Sequence, residues 1–292
     1  MTASRTAQAP GYYRYKVGDV IVTAVHDGIQ EFPLEGFVRN ASIAEVEAAL
    51  AEAFMPSGKM TITFTTLVLD SGSDLTLIDT GFGDIGPPTV GLWLANFEAA
   101  GFKISDIKTV VISHCHGDHI NGLRLKDGTL RFPHARILVP AKDYAYWMSA
   151  DEMNKASDAG KAAFQRVHRV FDGLKVEQYN WDDEVVPGLK AIAAPGHTPG
   201  HTAFMLSSGG SKLMIMSDVT NHPALFVRNP GWQAGFDVIP ELTIKTRREL
   251  LGKAADERVQ TSFFHAPFPA TGHVVRDGER FRFVPLHHMP TV

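Results

Sequence analysis

Residues 113–122 contain the strongest candidate for chemistry in this sequence. They read Ser-His-Cys-His-Gly-Asp-His-Ile-Asn-Gly, which places His114, His116, Asp118 and His119 within six positions. Imidazole and carboxylate groups are ligands of zinc and similar divalent metals. A solvated polar loop has no need of four such groups together. The run therefore predicts a metal-dependent enzyme, with a hydrolase as the first hypothesis.

The run directly follows residues 107–112, a compact apolar stretch that predicts a buried strand. A rigid strand can hold metal ligands on the loop that leaves it. The same arrangement, an apolar strand followed by one donor, recurs three times later in the chain. The donors are His197, Asp218 and His265, after predicted strands at 190–194, 212–216 and 261–264. These side chains are expected to converge with the run.

Other residues compete for these roles. Cys115 is a natural rival because cysteine binds zinc well, but it lies between two ligands and is expected to point away from them. His201, His222 and His273 compete with His265, which we favour because it ends a predicted strand. We expect His201 to be a structural turn or strand residue, and His273 to be either structural or at the rim of the pocket.

The remaining pattern predicts an alternation of strands and helices. Strands are predicted at 20–26, 61–69, 76–79, 137–139 and 202–206, and helices at 92–100, 141–148, 157–171 and 240–255. A capping box at Ser42 and Glu45 predicts a further helix that ends at about residue 54. No Pro/Ser linker divides the chain. We predict a single domain over residues 1–292, with residues 1 to about 15 as a flexible N-terminal arm.

The composition limits the class of protein. The 292 residues are 44% hydrophobic and 21% charged, which is typical of a globular protein with a large core. A net charge of −4 gives no reason to expect a nucleic-acid partner. The single cysteine excludes an internal disulfide. We see no signal peptide and no apolar run long enough to span a membrane, so we expect a cytoplasmic protein without a membrane partner.

Several segments together resemble the metallo-β-lactamase fold superfamily. They are Leu-Ile-Asp-Thr-Gly at 77–81, the H-x-H-x-D-H run, Gly-His-Thr-Pro-Gly-His at 196–201, Ser217-Asp218 and His265. They occur in the family's order and span about two thirds of the chain. The resemblance implies an α/β (α+β) fold, a four-layer αβ/βα sandwich with the metals at one edge of its two sheets.

Within the superfamily, residues 144–147, 196–201, 265–274 and 283–285 resemble methyl parathion hydrolase and related lactonase-like metallohydrolases. This resemblance implies one metal held by His114, His116 and His197, a second held by Asp118, His119 and His265, and Asp218 bridging them. It also implies that Asp79 hydrogen-bonds the metal loop into shape and that the protein is a homodimer. Trp147 and Phe164 match positions that line an apolar substrate pocket, although core packing is an equally good explanation of both.

These expectations define a mechanism. Two divalent metals, by default zinc but with iron, manganese or cobalt as alternatives, would share a hydroxide, because metal binding lowers the pKa of water from about 15.7 to about 7. The hydroxide would attack a small apolar ester, lactone or phosphotriester, with Asp118 and Asp218 as candidates for proton handling. The alternatives on the same fold are a mononuclear iron oxygenase or oxidoreductase and a nuclease. Seven donors favour two metals and hydrolysis.

Overall fold

The computed structural model describes residues 8–72 and 74–292, and two mixed seven-stranded sheets form the centre of this part of the chain. The first sheet contains, in order, β1 (Tyr12–Val17), β2 (Val20–Pro33), β3 (Lys59–Asp70), β4 (Leu75–Ile78), β5 (Ile107–Val111), β6 (Arg136–Pro140) and β7 (Glu177–Tyr179). The second contains, again in chain order, β8 (Glu184–Val186), β9 (Leu189–Ala193), β10 (Thr202–Ser208), β11 (Ser211–Ile215), β12 (Gln260–Ser262), β13 (Thr271–Asp277) and β14 (Arg280–Pro285).

Helices lie between these strands along the chain. They are α1 (Ile43–Glu52), α2 (Trp93–Ala99), α3 (Gly117–Ile120), α4 (Ala141–Trp147), α5 (Ala150–Lys155), α6 (Asp158–Phe171) and α7 (Pro240–Asp256). A single turn of π-helix, Pro223–Val227, lies between β11 and α7. Among residues 8–72 and 74–292, no helix has the length and hydropathy needed to cross a membrane.

Strand β5 explains why the run at 107–112 is mainly apolar on both of its faces. Val110 packs on the helix side of its sheet with Phe97 of α2 and Phe164 of α6. Val111 points the other way and packs between the two sheets with Phe204 of β10. Successive side chains of a strand face opposite sides of a sheet, so a strand covered on both faces is mainly apolar, and in β5 only Lys108 is exposed.

The second sheet is covered on its outer face by α7, where Leu251 packs with Met214 of β11 and Phe263. Helices therefore cover the outer face of each sheet, and the two inner faces pack against each other. This arrangement confirms the predicted α/β fold with a four-layer αβ/βα sandwich.

The topology brings the ends of distant strands together. Strands β4, β5, β6 and β7 are parallel to one another, as are β11 and β12 in the other sheet. The carboxyl ends of parallel neighbours lie at the same edge of a sheet. The predicted donors follow β5, β9, β11 and β12, and Asp79 follows β4. Strand β9 runs in the same direction as β11, because both are antiparallel to β10.

Most predicted elements are present, and the capping box at Ser42 and Glu45 begins α1 as expected. The N-terminal arm is different. Residues 1–7 lie outside the described part of the chain, but residues 12–15 belong to β1, which pairs with β2 in antiparallel register from Tyr12 to Val17. The short, polar start of the chain suggested an arm, but pairing with β2 orders these residues. Strands β13 and β14 were also not predicted.

Candidate metal centre

The structure brings all seven predicted donors into two adjacent clusters. The first, here called the three-histidine cluster, consists of His114, His116 and His197, and the second consists of Asp118, His119, Asp218 and His265. Within each cluster the candidate ligand atoms lie within 4.8 Å of one another. In the first, His116 Nδ1 is 3.1 Å from His114 Nε2 and 2.9 Å from His197 Nε2.

Asp218 faces both clusters. Its Oδ1 is 3.3 Å from His119 Nε2, and its Oδ2 is 2.9 Å from His265 Nε2. The same Oδ2 is 3.3 Å from His197 Nε2 in the three-histidine cluster. A carboxylate in this position can share its two oxygens between two cations.

Hydrogen bonds on the outer ring nitrogens fix the orientation of the imidazoles. His119 Nδ1 is 2.8 Å from Asp79 Oδ2, His197 Nδ1 is 3.0 Å from Asp237 Oδ1, and His265 Nδ1 is 3.0 Å from the carbonyl oxygen of Thr63. Ionised carboxylates and carbonyl groups only accept hydrogen bonds, so each of these nitrogens must carry the proton. In the neutral ring, Nε2 then presents a lone pair to the centre of the site.

The Nε2 lone pairs face carboxylate oxygens, so hydrogen-bond acceptors lie opposite each other with no donor between them. His119 Nε2 and Asp218 Oδ1 are buried, 3.3 Å apart and without a hydrogen-bond partner in the described part of the chain. Burial alone lowers the pKa of His119, but the charges of Asp218, Asp118 and Asp79 outweigh it and raise that pKa well above its ordinary value. Positive charge between the donors of the second cluster is therefore favourable, and a bound divalent cation would provide it.

The three-histidine cluster also fits a cation. Burial, together with nearby histidines, lowers the pKa of His114 well below its usual value and that of His116 to about 3. These rings are neutral at physiological pH, and neutral imidazole is the form that binds metals. Five imidazoles and two carboxylates are a donor set that suits zinc.

Asp79 makes the contacts that its expected role requires. Its Oδ1 accepts a hydrogen bond from the backbone N–H of Ser113 at 2.8 Å, and its Oδ2 accepts from the Ser113 hydroxyl at 2.7 Å and from His119. The carboxylate is 1% exposed, and it ties the first residue of the ligand run to one of the ligands.

A second carboxylate, Asp237, was not found from the sequence. It accepts from His197 Nδ1, and its other oxygen is 3.6 Å from the guanidinium of Arg247. Arg247 is only 1% exposed and also donates to the backbone oxygen of Val219. Asp237 follows His197 by 40 residues in an irregular segment, so no local pattern pointed to it.

The competing residues occupy structural positions. Cys115 is fully buried in the core on the helix side of the first sheet. His201 donates from Nδ1 to the backbone oxygen of Ala194, and its Nε2 accepts the backbone N–H of Asp218 at 3.1 Å. His273 lies on β13, paired with Gln260 and Val284.

A cavity of about 230 Å³ opens onto both clusters. Trp147 lines it, as expected from the resemblance, whereas Phe164 lies behind Trp147 with its ring centroid 4.7 Å away and only 1% of its surface exposed. The other aromatic residues of the lining are Phe32, Phe37, Phe64, Phe82 and Phe236. Of these, none was predicted to line a pocket.

Residues 60–276 match the family model of the metallo-beta-lactamase superfamily. The chain belongs to this superfamily. The matched segment includes every residue of both clusters.

Curated relatives in the superfamily are lactonases. An N-acyl homoserine lactonase of Bacillus thuringiensis is 21% identical over 237 residues, covering 75% of this chain and 87% of that protein. The N-acyl homoserine lactonase AttM of Agrobacterium fabrum is 31% identical over 121 residues, covering 41% of this chain and 43% of that protein.

Solved structures support the same superfamily fold. The hydrolase AbOPH superposes with a TM-score of 0.90 at 23% identity, covering 97% of this chain and all of that one (100%). AidC, a dizinc quorum-quenching lactonase, superposes with a TM-score of 0.86 at 24% identity, covering 96% and 98% of the two chains.

His265 offers a direct test of how this superfamily member divides its donors. Substitution of His265 by Ala is expected to reduce the bound metal from about two ions per chain to about one, because a single imidazole completes the second cluster. Mass spectrometry of the metal content after purification in excess zinc measures this. His273→Ala is the matched control and should keep both ions; loss of an ion from His273→Ala instead would contradict the assignment.

Proposed function

We propose that this chain is a dinuclear metal-dependent hydrolase that opens a lactone or ester of a small, mainly apolar substrate. The observation that carries the proposal is the position of Asp218, between two donor clusters at the floor of an aromatic cavity. The curated lactonase relatives support it independently. Phosphotriesters remain within the proposed range because their hydrolysis uses the same metal chemistry.

The donors fall into natural roles. His114, His116 and His197 would hold one divalent cation, Asp118, His119 and His265 the other, with Asp218 between them. Two bound cations, most simply zinc, supply a hydroxide nucleophile at neutral pH and polarise the bond under attack. The outer partners Asp79 and Asp237 keep His119 and His197 in the orientation that such binding needs.

Asp118 and Asp218 differ in their access to a substrate. The side chain of Asp118 is 21% exposed and lines the cavity, whereas that of Asp218 is 3% exposed. Burial disfavours charge on Asp118, but His119 and His265 outweigh it and lower its pKa to about 2. An ionised Asp118 carries no proton that it could give to a leaving group. Aryl esters, which release a stabilised anion, depend least on such an acid, whereas the alkoxide released from a lactone must take its proton from water.

The cavity sets the kind of substrate. Its wall is dominated by aromatic and aliphatic side chains, and its polar residues outside the clusters include Arg166 and Asn221. The amide oxygen Oδ1 of Asn221 is buried and lacks a hydrogen-bond partner in the described residues. An apolar group with a few polar atoms near the scissile bond fits this lining best.

A substrate panel tests the proposed function. Zinc-loaded protein with about two ions per chain is expected to hydrolyse N-acyl lactones or aryl esters, and pH-stat titration measures the acid released. The activity should be lost after chelation of the metal and should return when zinc is restored. Phosphotriesters in the same panel show how far the specificity extends. Two bound ions without hydrolysis of any of these classes would contradict the proposal, and one iron per chain with oxygen consumption would favour the oxygenase.

Phe236 tests the role of the aromatic wall. It lines the cavity with its ring 5.8 Å from that of His197, yet it is 36% exposed, so its removal should cost little stability. Phe236→Ala is expected to raise KM for a long-chain N-acyl lactone about fivefold to tenfold, because roughly 1 kcal/mol of apolar contact is lost. A short-chain substrate should change less.

Phe268→Ala provides the matched control for this experiment. Phe268 is also 36% exposed, but it packs against His26 outside the cavity lining. Its removal should leave KM unchanged for both chain lengths. Equal effects of the two variants would show that the cavity does not bind the acyl group.

A further inference from the structure

Asp143 is a buried carboxylate that belongs to neither donor cluster. It lies in the first turn of α4, just after β6, and none of its surface is exposed (0%). Burying an ionised carboxylate is strongly unfavourable unless hydrogen bonds compensate for the lost water. Its partners therefore indicate why the sequence keeps it there.

The two oxygens of Asp143 bind two different loops. Oδ2 accepts the backbone N–H of Cys115 at 2.7 Å, and Oδ1 accepts the backbone N–H of Gly200 at 3.0 Å. Cys115 stands between His114 and His116 in the ligand run. Gly200 belongs to the loop of residues 196–201, which contains His197. One carboxylate thus spans the gap between the loops that supply the three-histidine cluster.

The loop of residues 196–201 can lie close to the start of α4 because residue 200 is a glycine. A Cβ atom at Gly200 would lie 2.1 Å from the backbone nitrogen of Asp143, far inside van der Waals contact. The backbone of this loop therefore rests directly on the start of α4. The same gap separates His116 Nδ1 from His197 Nε2, which are 2.9 Å apart.

We propose that Asp143 is a positioning residue for the three-histidine cluster, which fixes the loop carrying His114 and His116 against the loop carrying His197. The inference rests on the proposed function, since it assumes that this cluster binds a divalent cation. Asp79 and Asp237 each orient one ligand ring. Asp143 contacts no ligand ring and acts through the backbones of two loops.

Asp143→Asn provides the test, because the amide keeps the shape and one acceptor oxygen but turns an N–H₂ group toward one of the backbone N–H groups. Zinc affinity is measured by competition with a chromophoric chelator on the metal-free protein. We expect one of the two zinc ions to bind 10- to 100-fold more weakly, the size of effect typical for residues that orient metal ligands. The other ion should bind as in the unchanged chain.

The His265→Ala background identifies the affected ion. The His265→Ala variant alone should retain the ion of the three-histidine cluster. Adding Asp143→Asn should lower the affinity for that remaining ion by the same factor. Asp143→Glu, which keeps the charge but lengthens the side chain, should give the same loss and replaces Asp143→Asn if that variant fails to fold.

Asp27→Asn is the matched control. Asp27 is likewise fully buried and accepts two backbone N–H groups, from Phe82 at 2.7 Å and Trp93 at 3.0 Å, neither of which is adjacent to a proposed ligand in the chain. The Asp27→Asn variant should lower the midpoint temperature of thermal unfolding and leave both zinc affinities unchanged. Unchanged zinc binding in Asp143→Asn, or equal weakening in both variants, would overturn the inference alone. An unmodified chain that binds no zinc would overturn the proposed function as well.

Discussion

The structure of the site depends on which ring nitrogen of each histidine carries the proton. His119, His197 and His265 each donate from Nδ1 to an acceptor outside the cluster, and this leaves Nε2 as a lone pair directed inward. His114 follows the same rule, because the hydroxyl of Ser113 already donates to Asp79 and can only accept from His114 Nδ1. Several inward lone pairs beside the carboxylates of Asp118 and Asp218 repel one another unless a cation separates them. The preference for a cation is thus established by the ring of hydrogen bonds outside the ligands.

This outer ring is available only because of the topology of the sheets. Asp79 ends β4 and reaches the run after β5, while Thr63 on β3 accepts from His265 after β12 in the opposite sheet. His119 and His265 therefore derive their orientation from elements other than their own.

The candidate donors and one of their supports, Asp79, were predictable from the sequence, whereas the supports Asp143 and Asp237 were not. The run at 113–119 is dense enough to be seen locally, and the later donors share a simple pattern of an apolar strand followed by one polar residue. Asp143 and Asp237 have no such signal, because Asp143 is 57 residues from Gly200 and Asp237 is 40 residues from His197. That residues 12–15 belong to a strand was missed for a related reason. The six-residue strand β1 is stabilised by pairing with β2, which a local pattern does not show. Local chemistry can be recognised from local sequence, but long-range partners need the fold.

The candidate metal ligands and most of the aromatic residues that line the cavity belong to different parts of the fold. The donors follow strand ends inside the sandwich, but Phe32 lies on β2, Phe37 follows it, and Phe236 lies in the segment before α7. Phe64 belongs to both regions, because its ring packs edge-on against His265 with centroids 5.1 Å apart while it lines the cavity. The rings of Phe32 and Phe37 pack on other phenylalanines, so changes there should alter the cavity wall alone, whereas a change at Phe64 should also disturb His265. Phe236 stands at the boundary between the two sets, because it is 36% exposed and its ring centroid is 5.8 Å from that of His197.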